Sequence, residues 1–228
     1  MTKQISKKTT KRINLWYTFV GITLSLILIA ITGIAIIAIE DKYKDEGAKY
    51  EYEIYRSNME LKLWENKALC IDAINDYMKS VAKSTNLNGV AIFEACDEYN
   101  IDIVFVLAQA QIESSFGTAG IAAKTKSVWN VLAYDGRSAD DMIAKGDGYS
   151  HPDQSIRPYL ELLKTKYLVK NKTEYDLMMN YVAASGHRYA SDKSYESRMQ
   201  SLYKSINENT NINTYYNEYK RYKVILGC

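Results

Sequence analysis

Hydrophobic and polar positions divide the chain into three stretches. From Leu15 to Ile39, 25 residues pass without one charged side chain. As a helix rising about 1.5 Å per residue this run is roughly 37 Å long, enough to cross a hydrocarbon core of about 30 Å with some tilt. Trp16 and Tyr17 stand at its start, where amphipathic rings favour the headgroup level. A cleaved signal peptide is the competing reading, with an apolar core of about 7–15 residues closed by small residues. This run is longer, and Ile36-Ile37-Ala38 lacks the small residue three positions before a cut. We therefore expect an uncleaved transmembrane anchor over residues 15–39.

Residues 40–86 are dense in charge and tyrosine, with Ile54, Leu61, Leu63, Trp64, Ala68, Ile71, Ile74, Tyr77, Met78 and Val81 at irregular three- and four-residue steps. That spacing predicts one or two helices acting as a spacer. From Asn88 the pattern becomes that of a compact helical domain. Val90–Tyr99 reads as a short helix, and Asp102 as the N-cap of a second running from Ile103 to Phe116. Two further helices are expected in 154–186, broken near Lys170–Lys172, and another over 192–209 with Met199, Leu202, Tyr203 and Ile206 on one face. The division is a basic tail (1–14), an anchor (15–39), a helical spacer (40–86), a catalytic domain (87–209) and a Tyr/Lys-rich tail (210–228).

Charge adds a topology. The formal net charge is +2, from 29 basic and 27 acidic residues, but residues 1–12 hold five basic groups and no acid. The remainder therefore carries 24 basic and 27 acidic side chains, a net of −3. By the positive-inside rule the N-terminus stays in the cytoplasm and residues 40–228 are exported. The same balance argues against nucleic acid as a partner. Three scattered Cys, two distant His and no HExxH, GxxxxGK[ST] or GxGxxG argue against a disulfide framework, a zinc hydrolase and nucleotide chemistry. No cofactor and no metal are expected; the oligomeric state is left open.

The chemistry concentrates in the helix from Ile103. Gln109 and Glu113 interrupt its apolar run four residues apart and share a face with Phe116; Gly117 and Gly120 then end it. Glu113 falls in the last turn, where burial and the negative end of the helix dipole both raise a carboxyl pKa. A carboxyl still protonated near neutral pH can protonate a leaving oxygen, as a glycosidase general acid must.

Residues 107–120, Leu-Ala-Gln-Ala-Gln-Ile-Glu-Ser-Ser-Phe-Gly-Thr-Ala-Gly, resemble the glucosaminidase family, glycoside hydrolase family 73, of flagellar muramidase and autolysin type. Three later segments continue the resemblance. Lys126-Ser127-Val128-Trp129-Asn130-Val131 is similar to the family's Asn-Asn-Leu-Phe-Gly-Ile region, with Asn130 where the family has Gly. Ser155-Ile156-Arg157-Pro158-Tyr159 is similar to its Phe-Arg-x-Tyr segment. Tyr189-Ala190-Ser191-Asp192-Lys193-Ser194-Tyr195 is similar to its Tyr-Ala-Thr-Asp-Pro-x-Tyr block, without the Pro.

The resemblance implies an α+β fold, predominantly helical and lysozyme-like, with a small β-lobe. It implies an endo-β-N-acetylglucosaminidase acting on the peptidoglycan glycan strand, which the anchor and the charge balance read above would hold at the membrane on its extracytoplasmic side. Glu113 would be the acid and Tyr189 its neighbour. A second carboxylate is expected from residues 133–154, with Asp147 chosen, Asp135 next, and assistance by the substrate's N-acetyl group as the alternative. Gln109, Phe116, Trp129, Tyr134 and Tyr195 are the candidate substrate-binding residues, with core packing the equal alternative for Phe116 and Tyr195. Lytic transglycosylase or muramidase chemistry, or a non-catalytic glycan-binding membrane scaffold, are the rival readings.

Overall fold

A computed structural model of the chain describes residues 23–34, 46–131 and 137–228. The chain forms two compact units, Met1–Met59 and Glu60–Cys228. In the first, residues 23–34 are helical (α1), with Leu24, Leu26, Ile27, Leu28, Ile29, Ile31 and Ile34 all exposed. Among the described residues no helix is long and apolar enough to cross a membrane. The expected span 15–39 is described only in part, the remainder lying outside the described residues.

The second unit is built from helices. They are the part of α2 (Glu46–Val81) from Glu60 onward, α3 (Gly89–Tyr99), α4 (Ile103–Ser114), α5 (Ala122–Thr125), α6 (Ala139–Ala144), α7 (Ile156–Leu162), α8 (Glu174–Met179), α9 (Tyr195–Asn209) and α10 (Ile212–Leu226). A π-helical turn, Leu163–Tyr167, prolongs α7. The helical, lysozyme-like expectation agrees with this, but the expected β-lobe does not. Among the described residues strand pairing is limited to one antiparallel bridge, Val182 with Arg188. Where the lobe was expected, Ser138 caps α6 by accepting a hydrogen bond from the Asp141 amide at 3.1 Å, so a helix forms instead.

Helix α4 is the core. Asp102 caps it, accepting from the Phe105 amide at 3.0 Å. Every residue from Ile103 to Ala110 is buried, and α3, α9 and α10 pack around it. A helix apolar on all faces is stable only when enclosed in this way; each large side chain it buries contributes about 1.5–3 kcal/mol. The enclosure draws on residues outside the expected 87–209 domain. Cys70, Ile74 and Met78 of α2 and Ile212, Tyr216, Tyr219 and Tyr222 of α10 are buried, and Phe93 packs edge-on to Tyr216 and Tyr219. The compact unit therefore takes in part of the stretch read as spacer and all of that read as tail. Cys70, Cys96 and Cys228 are free thiols.

Candidate active site

The end of α4 is shaped by three successive left-handed residues, Ser115 (φ 46°), Phe116 (φ 57°) and Gly117 (φ 80°). Only glycine adopts this region without penalty, so the two side chains before it are held there by their surroundings. The Phe116 ring is buried edge-on to Tyr77, and its carbonyl accepts from the Thr85 hydroxyl at 2.8 Å. Ser114, also buried, donates its hydroxyl to the Val128 carbonyl at 2.6 Å and accepts from the Gly117 amide at 2.8 Å. The chain thus turns sharply behind Glu113 and lays residues 127–130 across the helix end.

That crossing segment is pinned at every residue. The Ser127 amide donates to Thr125 Oγ1 and the Val128 amide to Ser155 Oγ. Trp129 is wholly buried, stacked on Tyr159 at 4.8 Å with its Nε1 donating to the Val106 carbonyl. Tyr189 Oη donates to the Trp129 carbonyl at 3.2 Å. Asn130 follows in the left-handed region (φ 50°), and its Nδ2 donates to the Glu113 carbonyl at 2.9 Å. One of the carbonyls that a helix C-terminus leaves without an intrahelical partner is thereby satisfied.

Glu113 is half-buried, and both its carboxyl oxygens meet donors. Tyr195 Oη donates to Oε1 at 2.6 Å; Asn130 Nδ2 approaches Oε2 at 3.4 Å. Burial pushes the carboxyl pKa up from its ordinary value, while Tyr195, Asn130 and the charge of Arg198 restrain the rise. Burial also drives the Tyr195 and Tyr189 phenols well above their usual range, the neighbouring phenols and the Glu113 charge adding to it. Both rings therefore serve as neutral donors. Tyr189 stacks on Tyr181 at 4.5 Å and lies 5.6 Å from Tyr195, so an aromatic wall backs the acid.

The structure thus joins Glu113 with Tyr195 and the Tyr189 wall. It places the other expected residues differently. Gln109, Phe116, Trp129 and Tyr195 were candidates for binding substrate, but all four side chains are buried, Tyr195 with its hydroxyl on Glu113; for Phe116 and Tyr195 this is the core packing that the sequence left open. The Gln109 carbonyl oxygen accepts from the Tyr159 and Tyr181 hydroxyls, and Trp129 and Phe116 are enclosed as described, so they support the site from within. Asp147 forms a salt bridge to Arg137 at 2.6 Å. Its stretch is fastened rather than free, with the Asp147 amide on the Met142 carbonyl and the Tyr149 amide on the Thr125 carbonyl. Tyr134 and Asp135 lie outside the described residues. Asn130 was not among the expected site residues. Its signal was present, since it stands where the resembled motif has Gly, and asparagine is the side chain that best tolerates a left-handed backbone there.

A carboxyl whose pKa burial pushes upward, at the end of a core helix and beside neutral phenols, is the kind of group from which a glycoside hydrolase draws its proton donor. Residues 89–208 match the family model Glucosaminidase, described as mannosyl-glycoprotein endo-beta-N-acetylglucosaminidase. The match spans more than half the chain, and the protein belongs to the glucosaminidase family, a family of glycoside hydrolases. No curated protein matches the chain.

Proposed function

We propose that this glycoside hydrolase cleaves the β-1,4 bond after N-acetylglucosamine in the peptidoglycan strand, with Glu113 as general acid. The observation that carries the reading is the unequal bonding of the Glu113 carboxyl. Oε1 takes a full hydrogen bond from Tyr195, whereas Oε2 has only the long approach of Asn130. Oε2 is then the oxygen that holds the proton and passes it to the glycosidic oxygen as the C1–O bond breaks. The carboxylate left behind is stabilised by both donors as its charge appears. Tyr189 lends the wall against which the sugar is oriented. Because Asp147 is engaged by Arg137, the substrate's own 2-acetamido oxygen is assigned the attack on C1, and water then opens that intermediate and returns a proton to Glu113.

Anchoring through residues 15–39, with residues 40–228 on the wall side of the membrane, completes the reading. The exposed aliphatic side chains of α1 support it, as does Thr32, whose hydroxyl donates back to the Leu28 and Ile29 carbonyls and so needs no water. Digestion of purified peptidoglycan by the full chain, followed by mass spectrometry of the products, tests the bond specificity. Reducing-end N-acetylglucosamine is expected. Anhydro-muropeptides would assign transglycosylase chemistry to the same acid, and reducing-end N-acetylmuramic acid would assign muramidase chemistry. Protease added outside spheroplasts should remove the domain; full protection would refute the topology.

A further inference from the structure

We propose that Asn130 is a positioning residue for Glu113, its side-chain amide fixing the carboxyl in the orientation from which the proton leaves. The proposal rests on the reading of Glu113 as the acid. Both hydrogen bonds of the Asn130 amide go to one residue: Nδ2 reaches the Glu113 carbonyl at 2.9 Å and Oε2 at 3.4 Å, while Oδ1 is buried without a partner. A half-buried amide that leaves its enclosed acceptor unsatisfied while aiming two donor contacts at a single carboxyl residue is committed to that residue. The backbone is committed as well. Asn130 is held at φ 50°, between a Trp129 carbonyl fixed by Tyr189 and its own amide donating to the Ser127 carbonyl at 3.0 Å. Glycine would take this backbone more easily and place nothing against the carboxyl.

The groups that act on Glu113 are Tyr195 by hydrogen bond, Asn130 by hydrogen bond, Arg198 by charge, and the Tyr181 and Tyr189 phenols, which respond to its charge. Of these, Asn130 alone contacts the oxygen assigned to proton delivery. A donor at that oxygen favours the ionised carboxyl, so its removal makes Glu113 a weaker acid and frees its χ angles.

The test is carbon-13 NMR titration of the full chain labelled at glutamate Cδ, with the Glu113 resonance identified by its absence in Glu113→Gln. In Asn130→Gly, which keeps the left-handed backbone, the Glu113 midpoint should move up by about half to one pH unit. In Asn130→Asp it should move further, because a second carboxyl then faces the first. The alkaline limb of the rate profile on peptidoglycan should follow in the same order, with kcat lowered about tenfold and KM little changed. A Glu113 midpoint equal to wild type in Asn130→Gly would overturn the proposal. Should Asn130→Gly fail to fold, Asn130→Ala, which also removes the amide and adds no charge, supplies the same comparison. A shifted midpoint in a chain that digests no glycan would uphold the placement of Asn130 and refute the enzymatic reading. Digestion with an unshifted midpoint would do the reverse.

Discussion

Tyr195 Oη lies 2.6 Å from Glu113 Oε1, although 82 positions separate the two residues in the chain. The contact joins the end of α4 to the start of α9, the pair of helices that forms the centre of the domain. The acid's strength is therefore set by the packing of the core.

Tyr195→Phe keeps the ring and removes only the donor. The hydrogen bond lowers the Glu113 pKa against the upward push of burial, so its loss raises that pKa further. The alkaline limb of the pH–rate profile should move to higher pH and the plateau should fall about tenfold, because a weaker acid donates less readily. The profile of kcat on peptidoglycan checks both. An unmoved limb would contradict the geometry.

The raised pKa of Glu113 also has a stability consequence. Between the ordinary carboxylate pKa and the higher folded value, the folded chain binds the proton that the unfolded chain has released. The contribution is fully present below the ordinary value and is lost as pH rises through the folded one. Glu113→Gln cannot ionise and escapes that loss. Thermal melts should show the variant gaining on wild type from about pH 4 towards pH 8. A difference in Tm that is constant across this range would contradict the burial assigned to the carboxyl.

Trp129→Ala should act on stability before it acts on sugar binding. The indole is wholly buried, stacked on Tyr159, and hydrogen-bonded to the Val106 carbonyl. Its removal should cost about 3–5 kcal/mol by chemical denaturation. A variant of unchanged stability with a raised KM would return Trp129 to the glycan groove.

Asp147→Asn tests whether a second carboxylate is used. Its partner Arg137 lies at 2.6 Å in a partly exposed pair, so the variant should melt close to wild type. Its kcat/KM should fall at least tenfold less than that of Glu113→Gln. An equal loss in both variants would make Asp147 part of the reaction and displace the acetamido group from that role.

What was legible in the sequence follows from where the chemistry is local. Asp102, the apolar run and the two glycines mark α4 and place Glu113 in its last turn, because capping and helix periodicity act over a few residues. The break at Lys170–Lys172 likewise falls where Lys170 and Asn171 adopt positive φ (57° and 65°). The roles of Gln109, Phe116 and Trp129 were not legible. A motif position that orients the acid from inside the core looks, in one dimension, the same as one that touches the sugar. The tail from residue 211 reads as a helix, but its place in the core was obscured by its composition: its buried tyrosines read as polar until Phe93 is found packed against two of them. The β-lobe was expected from resemblance alone, and the Ser138 cap was the local signal against it.

The role of Glu113 is tested by release of soluble muropeptides from purified peptidoglycan by the full chain, wild type beside Glu113→Gln at equal folded concentration. Release by the wild type and a loss of about 10²- to 10⁴-fold in the variant are expected. Release by Glu113→Gln at the wild-type rate, or binding of the glycan by the wild type without any release, would contradict that role.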